Sequence, residues 1–420
     1  MHHELSFLYT RVEKDFASIP KNVKRLTFGL FIYYLAWGIF DPFFSIYLHG
    51  LVGNYSLTGF FYGLFFLSGA ILAVPIGDLA DKVNRIKYVV VSILTYPVLG
   101  LLYFGLAFLS SWAFLAVLFF TRVVHGVAGL FWIMVDGFIR KHSPRKRTSA
   151  TFGLYITFQK LAFVLAPCFV IPFVVFLGVS SSSLHWLALA VIPFPIIATL
   201  LIFRIKDSGK PIVIGVKEVI VKDGVFKKEF RDLGKIGFVG FVSLLLGFFM
   251  KAIITITMFL IPLYALSLNF GIVEISILFA LVHVPYLLSF FLAELSDWFG
   301  KVNLIAIGFV LAALAFFAIS FAMEVHAVIF IACLFLGLVL AILQPAINGL
   351  VTDITPRVQD GEMSGLFTAT LKVSGFLVAI LLGVLSDAFG LQFPFLVFGV
   401  LLLMMAAITY SIKSKVVVRI

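Results

Sequence analysis

Gly77-Asp-Leu-Ala-Asp-Lys-Val-Asn-Arg-Ile-Lys87 lies between two long apolar runs and packs two carboxylates and three cations into eleven residues. The order returns 216 positions later as Ala293-Glu-Leu-Ser-Asp-Trp-Phe-Gly-Lys-Val-Asn303. Leu79 aligns with Leu295, Asp81 with Asp297, Val83 with Phe299 and Arg85 with Lys301. An offset of about half the chain, with the same small-x-Leu-small-Asp order, marks a duplicated unit.

Outward from that stretch the chain is overwhelmingly apolar. It is 62% hydrophobic and 12% charged, with a mean hydropathy of +1.15 and 50 Phe among 420 residues. Such a composition excludes a soluble globular protein. A helix needs about 20 apolar residues to cross hydrocarbon, and the chain reads as twelve such runs. They fall near 26–49, 57–76, 87–108, 112–136, 150–176, 184–203, 236–264, 271–292, 303–322, 327–352, 363–386 and 391–412.

The net charge of +11 raises nucleic acid as a partner, but its placement points elsewhere. Of the 31 Lys and Arg, 27 fall in the segments on one side of a twelve-helix arrangement, and the six opposite loops hold none. That asymmetry places both termini in the cytoplasm of a multi-pass plasma-membrane protein. Nucleic acid requires a basic face on a folded domain, and no such domain is visible. The first 25 residues are charged and the first apolar run is full length, so a cleaved leader is not expected. Cys168 and Cys333 lie within apolar runs and imply no disulfide framework. No metal or cofactor motif and no pattern for covalent chemistry is present, so neither a cofactor nor enzymatic activity is expected.

The paired stretches resemble the loop between helices two and three of the major facilitator superfamily and its weaker echo between helices eight and nine. The family pattern is Gly-x-Leu-x-Asp-Arg/Lys-x-Gly-Arg/Lys-Arg/Lys. Here Asn84 stands where Gly is usual, and the second copy keeps Gly300 but opens on Ala293. The resemblance extends over the whole chain. It implies an all-α integral membrane fold with twelve transmembrane helices in two pseudo-symmetric six-helix bundles. The corresponding units are a cytoplasmic lead-in 1–25, a bundle 26–203, a cytoplasmic linker 204–235, a second bundle 236–412 and a tail 413–420. Within the linker, 212–221 reads either as a small hairpin or as plain connector.

The resemblance also implies a gate. Gly77 is expected to let two helices approach closely, and Asp81 to sit at the positive N-terminus of helix eleven near Ser364. Arg85 is expected to pair with Asp136 at the end of helix four, with Asp297 and Lys301 as the second copy's counterparts. These charges either latch the halves together or only mark topology and loop register.

Four basic residues remain deep inside predicted helices: Arg122, Lys160, Lys251 and Lys372, against one comparably deep acid, Asp41. A charge in hydrocarbon costs at least about 2.5–3.5 kcal/mol, so such residues face a bundle interior or a water-filled path. Arg122-Val-Val-His-Gly126 resembles the family's helix-four motif Arg-x-x-Gln-Gly, with His125 in place of Gln. By that resemblance Arg122 and His125 take part in proton coupling, and Asp41 is the candidate proton-binding acid because burial and a nearby cation act on a carboxyl in opposite senses. The alternatives are a permanent salt bridge of Asp41 with Lys251 or Arg122, a structural Arg122 and a packing His125. Gly153, Ala162, Ala166, Pro167 and Val170 follow the register of the helix-five antiporter motif, with three of its glycines replaced.

Four deep cations against one acid favour an anionic solute. Lys251, Lys160 and Lys372 are the candidate contacts, with Gln159, Gln344 and Asn348 as polar lining. Lys160 and Lys372 alternatively snorkel or pair with carbonyls. Phe40, Phe43, Phe44, Tyr47, Phe248 and Tyr264 can supply an apolar wall. The functional expectation is a monomeric secondary transporter that moves a small organic solute with protons by alternating access. A multidrug–proton antiporter and a non-transporting sensor or scaffold are the alternatives.

Overall fold

The computed structural model describes residues 19–143, 148–207, 210, 212, 238–289, 292, 299–322, 325–354 and 360–411. Among these residues every regular element is a helix, apart from one parallel bridge between Val83 and Lys210. Eleven helices are long and apolar enough to cross a membrane, and Ile272–Leu288 is a shorter twelfth. The expected readings for most of the lead-in, the 212–221 hairpin, Asp297 and the tail beyond Ser411 lie outside the described residues, as do the side chains of Asp81 and Ser364.

The first span, Lys21–Val52, runs unbroken through Pro42 and ends on Gly53 in the left-handed conformation. The second helix, Tyr55–Lys82, continues past its apolar run and takes in Gly77–Asp81 as its closing turns. What the sequence presents as a loop is therefore a turn of two residues, Val83 and Asn84, before the third helix Arg85–Leu106. Asn84 caps that helix: its side chain accepts from the Lys87 amide at 2.9 Å. Asn in place of the family's Gly thus has a local reason.

Proline and glycine explain most other departures from straight spans. Span four divides into Ser111–Ala128 and Phe131–His142. It reaches six residues beyond 136, so Asp136 lies inside a helix rather than at its end. Span five breaks at Ala166, directly before Pro167, giving Thr148–Leu165 and Pro167–Leu177. In span seven, Phe238–Thr255 is followed by a π-helical turn, Ile256–Leu260, and then Ile261–Ser267. Pro262 has no amide to donate, so the preceding turn widens to close its bonds one residue further back. Span eight, Ile272–His283, tightens into a 3₁₀ turn at Val284–Leu288, where Pro285 interrupts it.

Spans nine to twelve are Lys301–Ser320, His326–Ile354, Asp360–Phe389 and Phe393–Ser411. Span two packs along span eleven, and span five against span eight, so each half of the chain supplies one helix to each pair. Large apolar side chains such as Trp112, Phe176, Leu101 and Ile331 point outward, as they should where lipid is the solvent.

Candidate functional site

Arg122 is the most firmly held charge in the interior, only 2% exposed. Its Nε donates to the Phe61 carbonyl and its Nη2 to the Tyr62 carbonyl, both at 2.8 Å. Its Nη1 reaches the Tyr103 hydroxyl at 3.1 Å, and the Phe44 ring lies 4.4 Å from the guanidinium. Gly126 makes this possible, because a Cβ there would stand 2.2 Å from the Phe65 carbonyl oxygen. Only glycine lets span four approach span two this closely.

His125 is buried beside it, stacked on Trp37 at 4.6 Å. Its Nδ1 lies 2.8 Å from the Tyr103 hydroxyl and 3.2 Å from Arg122 Nη1. A guanidinium only donates, so Nδ1 is assigned as the acceptor and the ring proton to Nε2. Nε2 is buried without a partner among the described residues, and His125 lines a small cavity with Trp37, Phe40, Tyr96 and Tyr103.

Asp41, on span one, is half-buried. Arg122 and Lys251 are the cations whose charge acts on it, yet its carboxylate closes no ion pair or hydrogen bond among the described residues. The direct salt bridge weighed above is therefore absent from this conformation. Tyr62 and Tyr103 are also near enough to feel the carboxylate.

The three lysines share one geometry. Lys160, from the first half, places Nζ 4.2 Å from the centre of the Tyr286 ring in the second half. Lys251 reaches the other way, 4.4 Å from the Phe66 ring. Lys372 likewise crosses from span eleven to the Phe65 ring at 5.3 Å and to Gly69, and it is 7% exposed. No lysine of the three donates a hydrogen bond or closes an ion pair among the described residues. The expected pairing with carbonyls is thus not found. Lys251 is the charged neighbour of both Lys160 and Lys372, which links the three into one electrostatic group. A desolvated ring face offsets roughly 2 kcal/mol, against at least about 2.5–3.5 kcal/mol for a charge in hydrocarbon. The rings hold the ammonium groups in place without neutralising them.

The polar lining is only partly assembled. Gln159 lies beside Tyr34, whose hydroxyl meets that of Tyr155 at 2.8 Å. Gln344 is half-buried and Asn348 exposed on span ten, and neither hydrogen-bonds a lysine of this group. Phe40 and Phe44 line the Arg122 region, whereas Tyr264 packs on Phe395 within the second half.

The gate residues depart from expectation. A Cβ on Gly77 would meet nothing within 4 Å, so close helix approach is not the role of that glycine here. Arg85 pairs not with Asp136 but with Asp207, at 3.8 Å from Nη1 to Oδ2. The reason is that Asp207 and Lys210 dock on the Val83–Asn84 turn: the Asn84 amide donates to the Lys210 carbonyl at 3.1 Å, and Asn84 Nδ2 to that of Asp207 at 2.7 Å. Lys141 Nζ adds a third contact to Asp207 at 3.5 Å. Asp136, half-buried, closes no ion pair among the described residues. Lys301 lies along span ten beside Gly349.

At the opposite end of the bundle the two halves meet through Asp387, which ends the stretch Gly383-Val-Leu-Ser-Asp387. Its carboxylate accepts from the backbone amides of Tyr55 at 2.9 Å and Ser56 at 2.7 Å, capping span two from span eleven. A Cβ on Gly383 would lie 2.2 Å from the Tyr55 carbonyl oxygen, and one on Gly59 the same distance from that of Ala379. His49 stacks on Tyr55 at 4.2 Å and completes the contact. Asp387 was legible as a further copy of the small-x-Leu-small-Asp order. Asp207 and the aromatic seats of the lysines carried no comparable mark.

A chain of eleven long apolar helices and a shorter twelfth, with three deep lysines reaching between its halves, has the layout of a two-bundle transporter. The family model of the Major Facilitator Superfamily matches residues 26–322 and 284–416. The chain belongs to the Major Facilitator Superfamily. Among superfamily relatives, the staphylopine export protein of Staphylococcus aureus is 23% identical over 403 residues, covering 93% of this chain and 95% of the relative. An uncharacterized MFS-type transporter of Methanocaldococcus jannaschii is 23% identical over 406 residues, covering 89% of this chain and 93% of its own. The crystal structure of the nucleoside transporter NupG superposes with a TM-score of 0.74 at 14% identity, over 94% of this chain and all of the other. The last likeness establishes the superfamily fold: an all-α membrane protein of two pseudo-symmetric six-helix bundles.

Proposed function

We propose that this superfamily member is a secondary transporter of a small organic anion, driven by protons and working by alternating access. The observation that carries the reading is the lysine group. Each of Lys160, Lys251 and Lys372 reaches across the seam to a ring of the opposite half, and none closes an ion pair among the described residues; the one acid whose charge acts on the group is Asp41, through Lys251. An anion entering between the bundles supplies the missing charge, and rocking of the bundles about that point then carries it across. Asp41 is the coupling acid in this scheme. It feels Arg122 and Lys251, so arrival of an anion at Lys251 alters the field on the carboxylate and with it the proton it holds. Arg122 and His125 tune that exchange through Tyr103.

The bundles extend over 26–203 and 236–412, with 204–235 between them and both termini in the cytoplasm. Asp81, Arg85, Asp297 and Lys301 then lie at the cytoplasmic gate, and Asp387 at the external one. The name of the staphylococcal relative favours export as the direction. The broken span five, following the register of the antiporter motif, keeps drug–proton antiport as the second reading. Proteoliposomes decide between them. Anion flux that responds to an imposed pH gradient and falls at least tenfold in Lys251→Met supports the first reading. Flux of lipophilic cations with none of anions overturns it.

A further inference from the structure

We propose that the central site takes an organic acid with two or three ionised carboxylates and discriminates against monocarboxylates. The proposal rests on the anion reading above and sharpens it. Among the deep charges the one acid, Asp41, is shared between Arg122 and Lys251, and His125 adds none when neutral, so four cations against one carboxylate leave an excess of three positive charges. Three ammonium groups carry that excess, and none closes an ion pair among the described residues. Lys251 stands electrostatically between the other two. Lys372 is nine-tenths buried, and none of the three has an acceptor among the described residues.

One carboxylate set against Lys251 compensates one charge and leaves Lys160 and Lys372 desolvated and unpaired. A second or third carboxylate reaches those neighbours, and the gain per added group is large because Lys372 is buried and Lys160 only partly exposed. Location adds a mechanical consequence. Lys160 belongs to the first half and is seated on Tyr286 of the second; Lys251 and Lys372 belong to the second and are seated on Phe66 and Phe65 of the first. A polycarboxylate that draws Lys160 together with either of the others is held by both bundles at once. A monocarboxylate is held by one. Charge number is therefore read as closure of the two halves around the solute, and the aromatic seats hold the ammonium groups apart until it arrives.

The test compares butyrate, glutarate and tricarballylate, one to three carboxylates on short chains, binding to purified protein by isothermal titration at pH 7.5 and constant ionic strength. Affinity is expected to rise at least tenfold with each added carboxylate. In Lys251→Met the ratio between tricarballylate and butyrate is expected to collapse to a few-fold, while Lys160→Met and Lys372→Met each remove about one of the two steps. The charged neighbour of Lys160 and of Lys372 is another ammonium, so removing either does not destabilise the empty protein, and thermal unfolding of Lys160→Met and Lys372→Met without ligand is expected at or above the wild-type temperature. Equal binding of all three acids within threefold overturns the valence proposal and leaves the anion reading standing. Absence of binding and flux for all three overturns both.

Discussion

Single residues divide into those whose partners are complete and those left waiting for one. Arg122 is complete, with two carbonyls and a hydroxyl as acceptors. Lysine has no planar fork and cannot serve two carbonyls at once. Hydrogen bonds to a charged group are worth about 1.5–3 kcal/mol, so Arg122→Lys is expected to lose about that much stability and lower the unfolding temperature by several degrees in detergent. An unchanged melting curve would show the fork to be dispensable. Asp41 is the opposite case, half-buried between two cations without closing on either. Asp41→Asn is expected to abolish solute accumulation driven by a pH gradient while preserving solute–solute counterflow. Accumulation at the wild-type level would remove Asp41 from the coupling role. That these residues matter was legible in the sequence, because an ionised side chain amid twenty apolar neighbours needs a reason. Their individual states were not, since Arg122 and Lys251 look alike in a hydropathy profile.

Elements show how far a motif read in one dimension describes a shape. The acidic–basic stretch at residues 77–87 reads as a loop because its charges interrupt an apolar run, yet helix two continues through Lys82. Backbone hydrogen bonding carries the helix on after the hydrocarbon-facing composition ends. Proline was the more dependable guide. Span five breaks at Pro167 and the π turn of span seven precedes Pro262, both from the loss of one amide donor. The pairing of spans two and eleven depends on glycines whose need only the neighbour reveals. Gly383→Val drives a side chain into the Tyr55 carbonyl, only 2.2 Å from the position of its Cβ. Spin labels at the Asp387 end of the two spans are expected to move apart by several ångströms in that variant, with a broader distance distribution in double electron–electron resonance. An unaltered distribution would mean that this contact does not hold the end closed.

For the whole molecule, the start of the central segment acts as a clasp. Asp207 gathers Arg85 and Lys141, and the carbonyls of Asp207 and Lys210 accept from Asn84 in the turn. The first half is thereby tied to the segment that leads to the second. Asp207→Ala is expected to leave membrane insertion unchanged and to cut transport severalfold in vesicles, because the buried Arg85, 7% exposed, then loses the Asp207 carboxylate and the turn loses its tie. Wild-type flux in that variant would reduce the clasp to a mere tether. The sequence by itself determined the spans, their duplication and the one-sided placement of positive charge. Each is a property of a local segment measured against a bilayer, and needs no knowledge of a partner. Only the tertiary structure decided that the lysines rest on rings of the opposite half, that Arg85 chooses Asp207, and that Asp387 caps span two. Those outcomes hinge on aromatic faces and backbone amides supplied from more than a hundred residues away, and such groups look the same in a sequence wherever they end up.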